Sequence, residues 1–329
     1  MENLSNLIDP IDIADESEEL INIDRPIEVE DELEELRNLI VPVDITAEVK
    51  ERSIVTKEEW KEWTKTVWSI ANVSDSDHRA TFPIEIPYRL IRMYSYYGET
   101  VLDPFSGMAN TGKAALKCGR NYVGFETNPE YQQISSRRLE AYNASENVIQ
   151  DDKFFRILNR SSLDMNMIPE NSIGTIVTSP PYWDKADYGD YDGNIGNMHF
   201  YDDFLTNVQQ VLRECYRVLM PGRKLSIVTA NVNQNTYEHG LLTFPIAADL
   251  IKKAQEIGYV LINEVIWSKD GTGGKWGSYG NQRPIFGSYP YPPNFLFKNI
   301  HEYVIILKKP DIKSKSSAAP KYDTLFREV

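Results

Sequence analysis

The chain has 329 residues, 41% of them hydrophobic and 11% aromatic, with 35 basic and 49 acidic side chains and a formal charge of −14. That is ample for one large domain or two modest ones. Two cysteines, Cys118 and Cys215, cannot build a disulfide framework, no stretch approaches the roughly 20 apolar residues of a membrane span, and the first residues lack a secretion signal, so a cytoplasmic protein is expected.

So acidic a chain argues against a phosphate-rich partner until the charge is located. Residues 1–50 hold 16 acids and three bases, a net of −13, which leaves 33 acids and 32 bases, a net of −1, over residues 51–329. Residues 1–52 are therefore expected to form an acidic N-terminal extension, and the remainder can carry a basic groove. DELEELRNLI has Leu33, Leu36, Leu39 and Ile40 at helical spacing, but the charge run as a whole reads as a solvated arm. The sharper alternatives are a protein-contact arm or a decoy of phosphate charge.

Thr56 and Glu59 form a capping-box pattern that predicts a helix over KEEWKEWTKTVW. Beyond it, short β-branched runs alternate with helices. Strands are expected at 100–103, 122–126, 173–179, 224–230, 259–267 and 302–309, with helices at 85–96, 110–118, 129–147, 202–219 and 244–257. Pro221-Gly222 is expected to stop the fourth of these helices. The alternation implies a doubly wound α/β sheet, and the last two strands, with no helix between them, should pair antiparallel. Cys118 and Cys215 read as packing residues. The four histidines, His78, His199, His239 and His301, show no metal-ligand spacing. His301-Glu302, opening the last strand, reads as structural, and residues 310–329 as a loose basic tail.

Two segments carry chemistry. In VLDPFSGMANTGKAALKCGRNYVGFETNPEY, Asp103 ends a strand, Ser106-Gly107 permits a close backbone approach, and Glu126 ends the next strand. In a doubly wound sheet ligands bind at the carboxyl ends of strands, and an acid about twenty residues past the turn accepts ribose hydroxyls. The turn lacks the Lys-Ser/Thr pair of a phosphate loop, and its acid would repel pyrophosphate. A nucleoside cofactor with an ammonium group, such as S-adenosylmethionine, suits two carboxylates; a simple connecting turn is the competing reading. In IVTSPPYW (176–183), two prolines at the end of an apolar strand force the chain out of the sheet. The turn offers the Ser179 hydroxyl and the Ser179 or Pro180 carbonyl to an exocyclic amine, and the Tyr182 ring to a flat base. A Pro-Pro turn packed by its own aromatics is the alternative.

Together these segments resemble the amino-methyltransferases of DNA that act on cytosine N4 or adenine N6. HRATFPIEIPYRLI (78–91) resembles their element closing over the methionine end of the cofactor, and VIWSKDG with NIHEYVIILKK their terminal strand pair. The resemblance covers roughly residues 60–309 and implies a Rossmann-like class I methyltransferase, with a mostly parallel seven-stranded sheet and an antiparallel last hairpin. The catalytic domain would span 53–309. By the same resemblance Phe82, Pro83, Asp103, Phe105 and Gly107 hold the methionine portion, Glu126 the ribose, and Ser179, Pro180, Pro181 and Tyr182 the target base; the acid expected on the adenine side is replaced by Ser161 or Ser162, with Asp164 nearby as its substitute. Where the family loop commonly reads Gly-Ser-Gly-Thr-Thr, this chain has Gly107-Met108-Ala109-Asn110-Thr111, which narrows the space.

Serine at the first catalytic position points to cytosine N4, with adenine N6 the nearest rival. An RNA or protein amino-methyltransferase and a non-catalytic DNA-binding subunit are the readings from other classes. Recognition loops are expected near 183–203 and 268–299, where Lys275, Arg283 and Lys298 among aromatics suit phosphate contacts and stacking; a long hairpin loop packed by its own aromatics is the competing reading of 268–299. Expected partners are DNA and a cognate restriction endonuclease. The absence of a large recognition domain leaves open a short site, a second subunit as in a homodimer, or an already opened strand.

Overall fold

A computed structural model describes residues 27–71, 82–146, 153–183, 191, 193–236, 240–269, 290–293, 295, 297 and 299–311. Lys275, Arg283 and Lys298 lie outside the described residues, as do residues 1–26, most of the tail and much of both expected recognition loops.

The elements in chain order are α1 (Ile27–Leu39), α2 (Ala47–Arg52), α3 (Lys57–Trp63), β1 (Val67–Ser69), α4 (Glu85–Tyr94) and β2 (Thr100–Asp103). Next come α5 (Asn110–Lys117), β3 (Asn121–Glu126), α6 (Pro129–Glu146), β4 (Phe155–Asn159) and β5 (Ile173–Thr178). The remainder is α7 (Tyr201–Val218), β6 (Leu219–Thr229), β7 (Val232–Thr236), β8 (Gly240–Phe244), α8 (Ile246–Ile257), β9 (Val260–Ser268) and β10 (His301–Lys308).

Eight strands form one sheet in the order β1-β9-β10-β6-β5-β2-β3-β4, and β7 and β8 make a separate hairpin. All neighbours in the large sheet are parallel except β10, which runs antiparallel to both β6 and β9. Strands covered on both faces read as largely apolar runs, and β2 and β5 are buried throughout, with Asp103 and Thr178 at their carboxyl ends. Alternate side chains divide between two cores. Leu102, Val123, Ile176, Ile227 and Ile305 face one core with Phe204, Leu212 and Leu250 of α7 and α8. Val101, Tyr122, Val177, Val228 and Val304 face the other with Leu90 of α4, Ala114 of α5 and Leu139 of α6. The doubly wound α/β expectation holds, as does the antiparallel last hairpin.

Several local expectations change. The N-terminal charge run is not solvated throughout: Leu36 and Ile40 are 2% and 1% exposed within the first core, and Arg37 donates to the Asn166 carbonyl at 3.1 Å. The apolar stripe outweighs the charge because its acids can point outward while the leucines are covered. The capping box at Thr56–Glu59 is formed, but its helix ends at Trp63. Val67–Ser69 instead extends along β9 and makes the sheet eight-stranded rather than seven. There Trp68 is buried and donates its indole N–H to the Trp63 carbonyl. The strand FRILN and the β7–β8 hairpin have no counterpart among the expected elements. α7 ends at Val218 rather than at Pro221-Gly222, which lies inside β6.

Candidate active site

The parallel strands deliver Asp103, Glu126 and Ser179 to one edge of the sheet. Asp103 closes β2 and is 1% exposed. Its Oδ1 accepts the Phe105 N–H at 3.1 Å and the Thr178 hydroxyl at 2.7 Å, so one carboxylate holds the turn after β2 against the last residue of β5. Burial pushes its pKa up to about 6 against these hydrogen bonds, and the Glu126 charge adds to the rise. Glu126 is raised by burial too, while the N–H groups of Asn128 and Gly107, at 2.8 and 2.9 Å, favour its charged form. Its two oxygens are thereby oriented and retain lone-pair capacity for further donors.

Two glycines shape the loop. Gly107 has φ +48°, and a Cβ there would meet nothing within 4 Å, so the backbone borders open space. Gly124 of β3 does the opposite: a Cβ would sit 2.6 Å from Tyr122 Oη and 2.7 Å from Ser106 Oγ. Its absence lets Ser106 seat on β3, where the Ser106 N–H reaches the Phe125 carbonyl at 2.9 Å. Ala109 adopts a left-handed conformation, φ 56°, immediately before α5. The loop thus turns sharply despite its non-glycine residue, at a cost of about 1 kcal/mol. From α5, Asn110 Nδ2 donates to the Phe82 carbonyl at 2.9 Å, which brings Phe82, and the buried Pro83 beside it, up to the start of the loop helix. Phe105 packs partly buried against the first core. Open space bordered by a glycine backbone, with two oriented carboxylates, fits a nucleoside cofactor carrying positive charge.

Asp164 has other neighbours. It is exposed, accepts the Asn166 N–H at 2.9 Å, and its charge acts on Arg217 of α7. Ser161, by contrast, lies just past the end of β4 and donates to the Gly193 carbonyl at 3.1 Å, which seats part of the loop following the SPPY turn.

The SPPY turn leaves the sheet after Thr178 as its prolines require. Trp183 has φ 34°, a strained value for a bulky residue. Its buried indole compensates: it donates to the Met198 carbonyl at 2.8 Å and packs against Tyr201 and Phe244, ring centroids 5.0 and 4.6 Å away. Ser179 Oγ is 3.3 Å from Tyr182 Oη, and Tyr182 donates to Glu302 Oε2 at 2.9 Å. Lys269 donates to Glu302 Oε1.

Glu302, read from the sequence as structural, thus hydrogen-bonds the SPPY turn, and Lys269 and Thr178 join it among the contacts around the candidate site. Antiparallel β10 starts where the parallel strands end, with His301 opposite Ser268 and Tyr303 opposite Thr229. The expected antiparallel pairing of the last two strands was the sequence signal for this placement. Cys118 and Cys215 are buried, and burial raises both thiols, Cys118 to about 11. That suits packing rather than nucleophilic chemistry.

A family model described as DNA methylase (N6/N4) matches residues 23–137 and 173–325. The chain is 41% identical over 101 residues to Type II methyltransferase M.BglI of Bacillus subtilis, across 30% of this chain and 29% of that protein. It is 38% identical over 73 residues to DNA adenine methyltransferase YhdJ of Escherichia coli, across 21% of this chain and 25% of that one. A Thermus thermophilus structure complexed with S-adenosyl-L-methionine shares 30% identity, with a TM-score of 0.32, over 48% of this chain and 57% of that chain. The alignments span under a third of the length of these two curated relatives.

Proposed function

The chain belongs to the N6/N4 DNA methylase family, and from that premise we propose that it methylates the exocyclic N4 amine of cytosine in DNA with S-adenosylmethionine as donor. The observation that carries the reading is the bond from Thr178 to Asp103, which joins the cofactor loop directly to the SPPY turn. A methyl donor held on one side then faces an amine held on the other.

In this reading the cofactor supplies a methyl group on a sulfonium. Asp103, Phe105 and Gly107, with Phe82 and Pro83, hold its charged end, and Glu126 accepts the ribose hydroxyls. Asp164, which accepts from the Asn166 N–H, is left without a role in this set. A base within a duplex cannot reach such an edge, so the target is flipped out at a cost of a few kcal/mol. Ser179 Oγ and the adjacent carbonyl accept the amine protons and localise its lone pair for in-line attack, while the Tyr182 ring stacks on the base. Catalysis is by positioning and electrostatics, with no covalent enzyme intermediate. Lys275, Arg283 and Lys298 are proposed as phosphate contacts on the composition of their segment. The biological role is DNA modification, alone or paired with a restriction endonuclease.

The second reading, adenine N6, is favoured by the likeness to the Escherichia coli adenine methyltransferase. Incubating DNA with labelled cofactor and digesting it to nucleosides separates the two. N4-methyldeoxycytidine is expected. N6-methyldeoxyadenosine as the sole product overturns the cytosine assignment, and label in RNA or protein but never in DNA overturns the DNA assignment.

A further inference from the structure

Tyr182 has one hydroxyl proton and donates it to Glu302 Oε2 at 2.9 Å, while the other oxygen of Glu302 accepts from Lys269. With that proton on Glu302, the 3.3 Å contact between Ser179 and Tyr182 is read with the serine as donor. Ser179 then donates to Tyr182, whose own proton is given to Glu302. That leaves the serine lone pairs facing whatever lies beyond the turn. Every donor in the chain from Ser179 through Tyr182 to Glu302 points the same way.

We propose that Ser179, Tyr182 and Glu302 form a one-directional proton relay, with Glu302 as its terminal acceptor and Lys269 as the cation that holds Glu302 in place. The proposal rests on the amine-methylation reading above. In that reaction the amine nitrogen forms a bond to the methyl carbon, the carbon–sulfur bond breaks, and its electron pair stays on sulfur. Nitrogen acquires the positive charge and must lose a proton. That proton passes to Ser179 Oγ as the serine proton passes to Tyr182 Oη and the tyrosine proton to the Glu302 carboxylate, which ends as a carboxylic acid. No further reactant is needed. The 3.3 Å contact is long for an O–H···O bond and is of the kind that tightens when substrate fills a site. Glu302 acts through Tyr182 and Ser179 and so is a positioning residue and proton acceptor rather than one that touches the base.

Glu302→Gln separates these functions, since the amide oxygen still accepts from Tyr182 but cannot take up a proton. In single-turnover assays with the full chain and DNA, turnover should fall about a hundredfold, with the KM for cofactor changed less than twofold and Glu302→Asp restoring part of the rate. Wild-type turnover in Glu302→Gln, or equal losses in turnover and cofactor affinity, overturns the relay. Wild-type protein that methylates no DNA overturns the functional reading instead. The Tyr182–Glu302 link on which the relay depends is tested separately, on the free protein, by a urea double-mutant cycle of Tyr182→Phe and Glu302→Ala. The pair should be coupled by about tenfold in the unfolding constant, and additivity overturns the relay.

Discussion

Replacing Asp103 by Asn tests whether the cofactor loop is built around a carboxylate held in an unfavourable place. Asp103 is 1% exposed, and burial lifts its pKa from the ordinary 3.8 to about 6. At about 1.4 kcal/mol per pH unit, keeping it ionised costs the folded chain roughly 3 kcal/mol above pH 6. A carboxyl group whose folded-state pKa is raised contributes its full stability below 3.8 and loses it as pH rises through about 6. Asn cannot ionise, and its side-chain oxygen still accepts from Thr178 and Phe105. Urea unfolding followed by tryptophan fluorescence at pH 4 and pH 8 should therefore show the variant gaining about 2.5 kcal/mol relative to wild type between the two, since part of the difference is already lost at pH 4. Calorimetry should show S-adenosylmethionine binding lost, because the ligand's positive charge no longer meets a carboxylate. Parallel stability–pH profiles for the two proteins would refute the reasoning, whatever their absolute stabilities.

Ser179→Ala should lower methyl-transfer turnover while leaving the affinity for S-adenosylmethionine, measured by calorimetry, within twofold; equal losses contradict the role assigned to the serine. Gly124→Ala would drive a methyl group against Tyr122 and Ser106 and break their 2.9 Å hydrogen bond. A loss of about 1–3 kcal/mol in urea unfolding is expected, with weakened cofactor binding. Leu36→Ala should cost about 3 kcal/mol if the helix Ile27–Leu39 is part of the core, and an unchanged unfolding midpoint would return it to the solvated arm.

How much was legible in advance follows from the range of the interactions. Asp103, Gly107 and Glu126 lie in one strand–turn–helix–strand segment, and Ser179 and Tyr182 in one turn, so local sequence specifies them. The alternation of β-branched runs with helices likewise located α4 to α8 within one or two residues. Leu36 and Ile40 were visible as a stripe, but charge pattern alone cannot say whether a partner surface exists to cover them. The short strand Val67–Ser69 failed for a related reason. Three residues after a capped helix carry too little periodicity, and their extended form is set by pairing with β9, almost 200 residues on.

The sequence by itself determined the two chemical segments, the alternation that makes a doubly wound sheet, and the confinement of net charge to the first 50 residues. Only the tertiary structure decided what those segments become together. It places Thr178 on Asp103 across 75 positions and Tyr182 on Glu302 across 120. Chain reversal at β10 is the physical reason for the second contact. An antiparallel strand begins at the edge where its parallel neighbours end, and so delivers a carboxylate to a site that no local pattern contains.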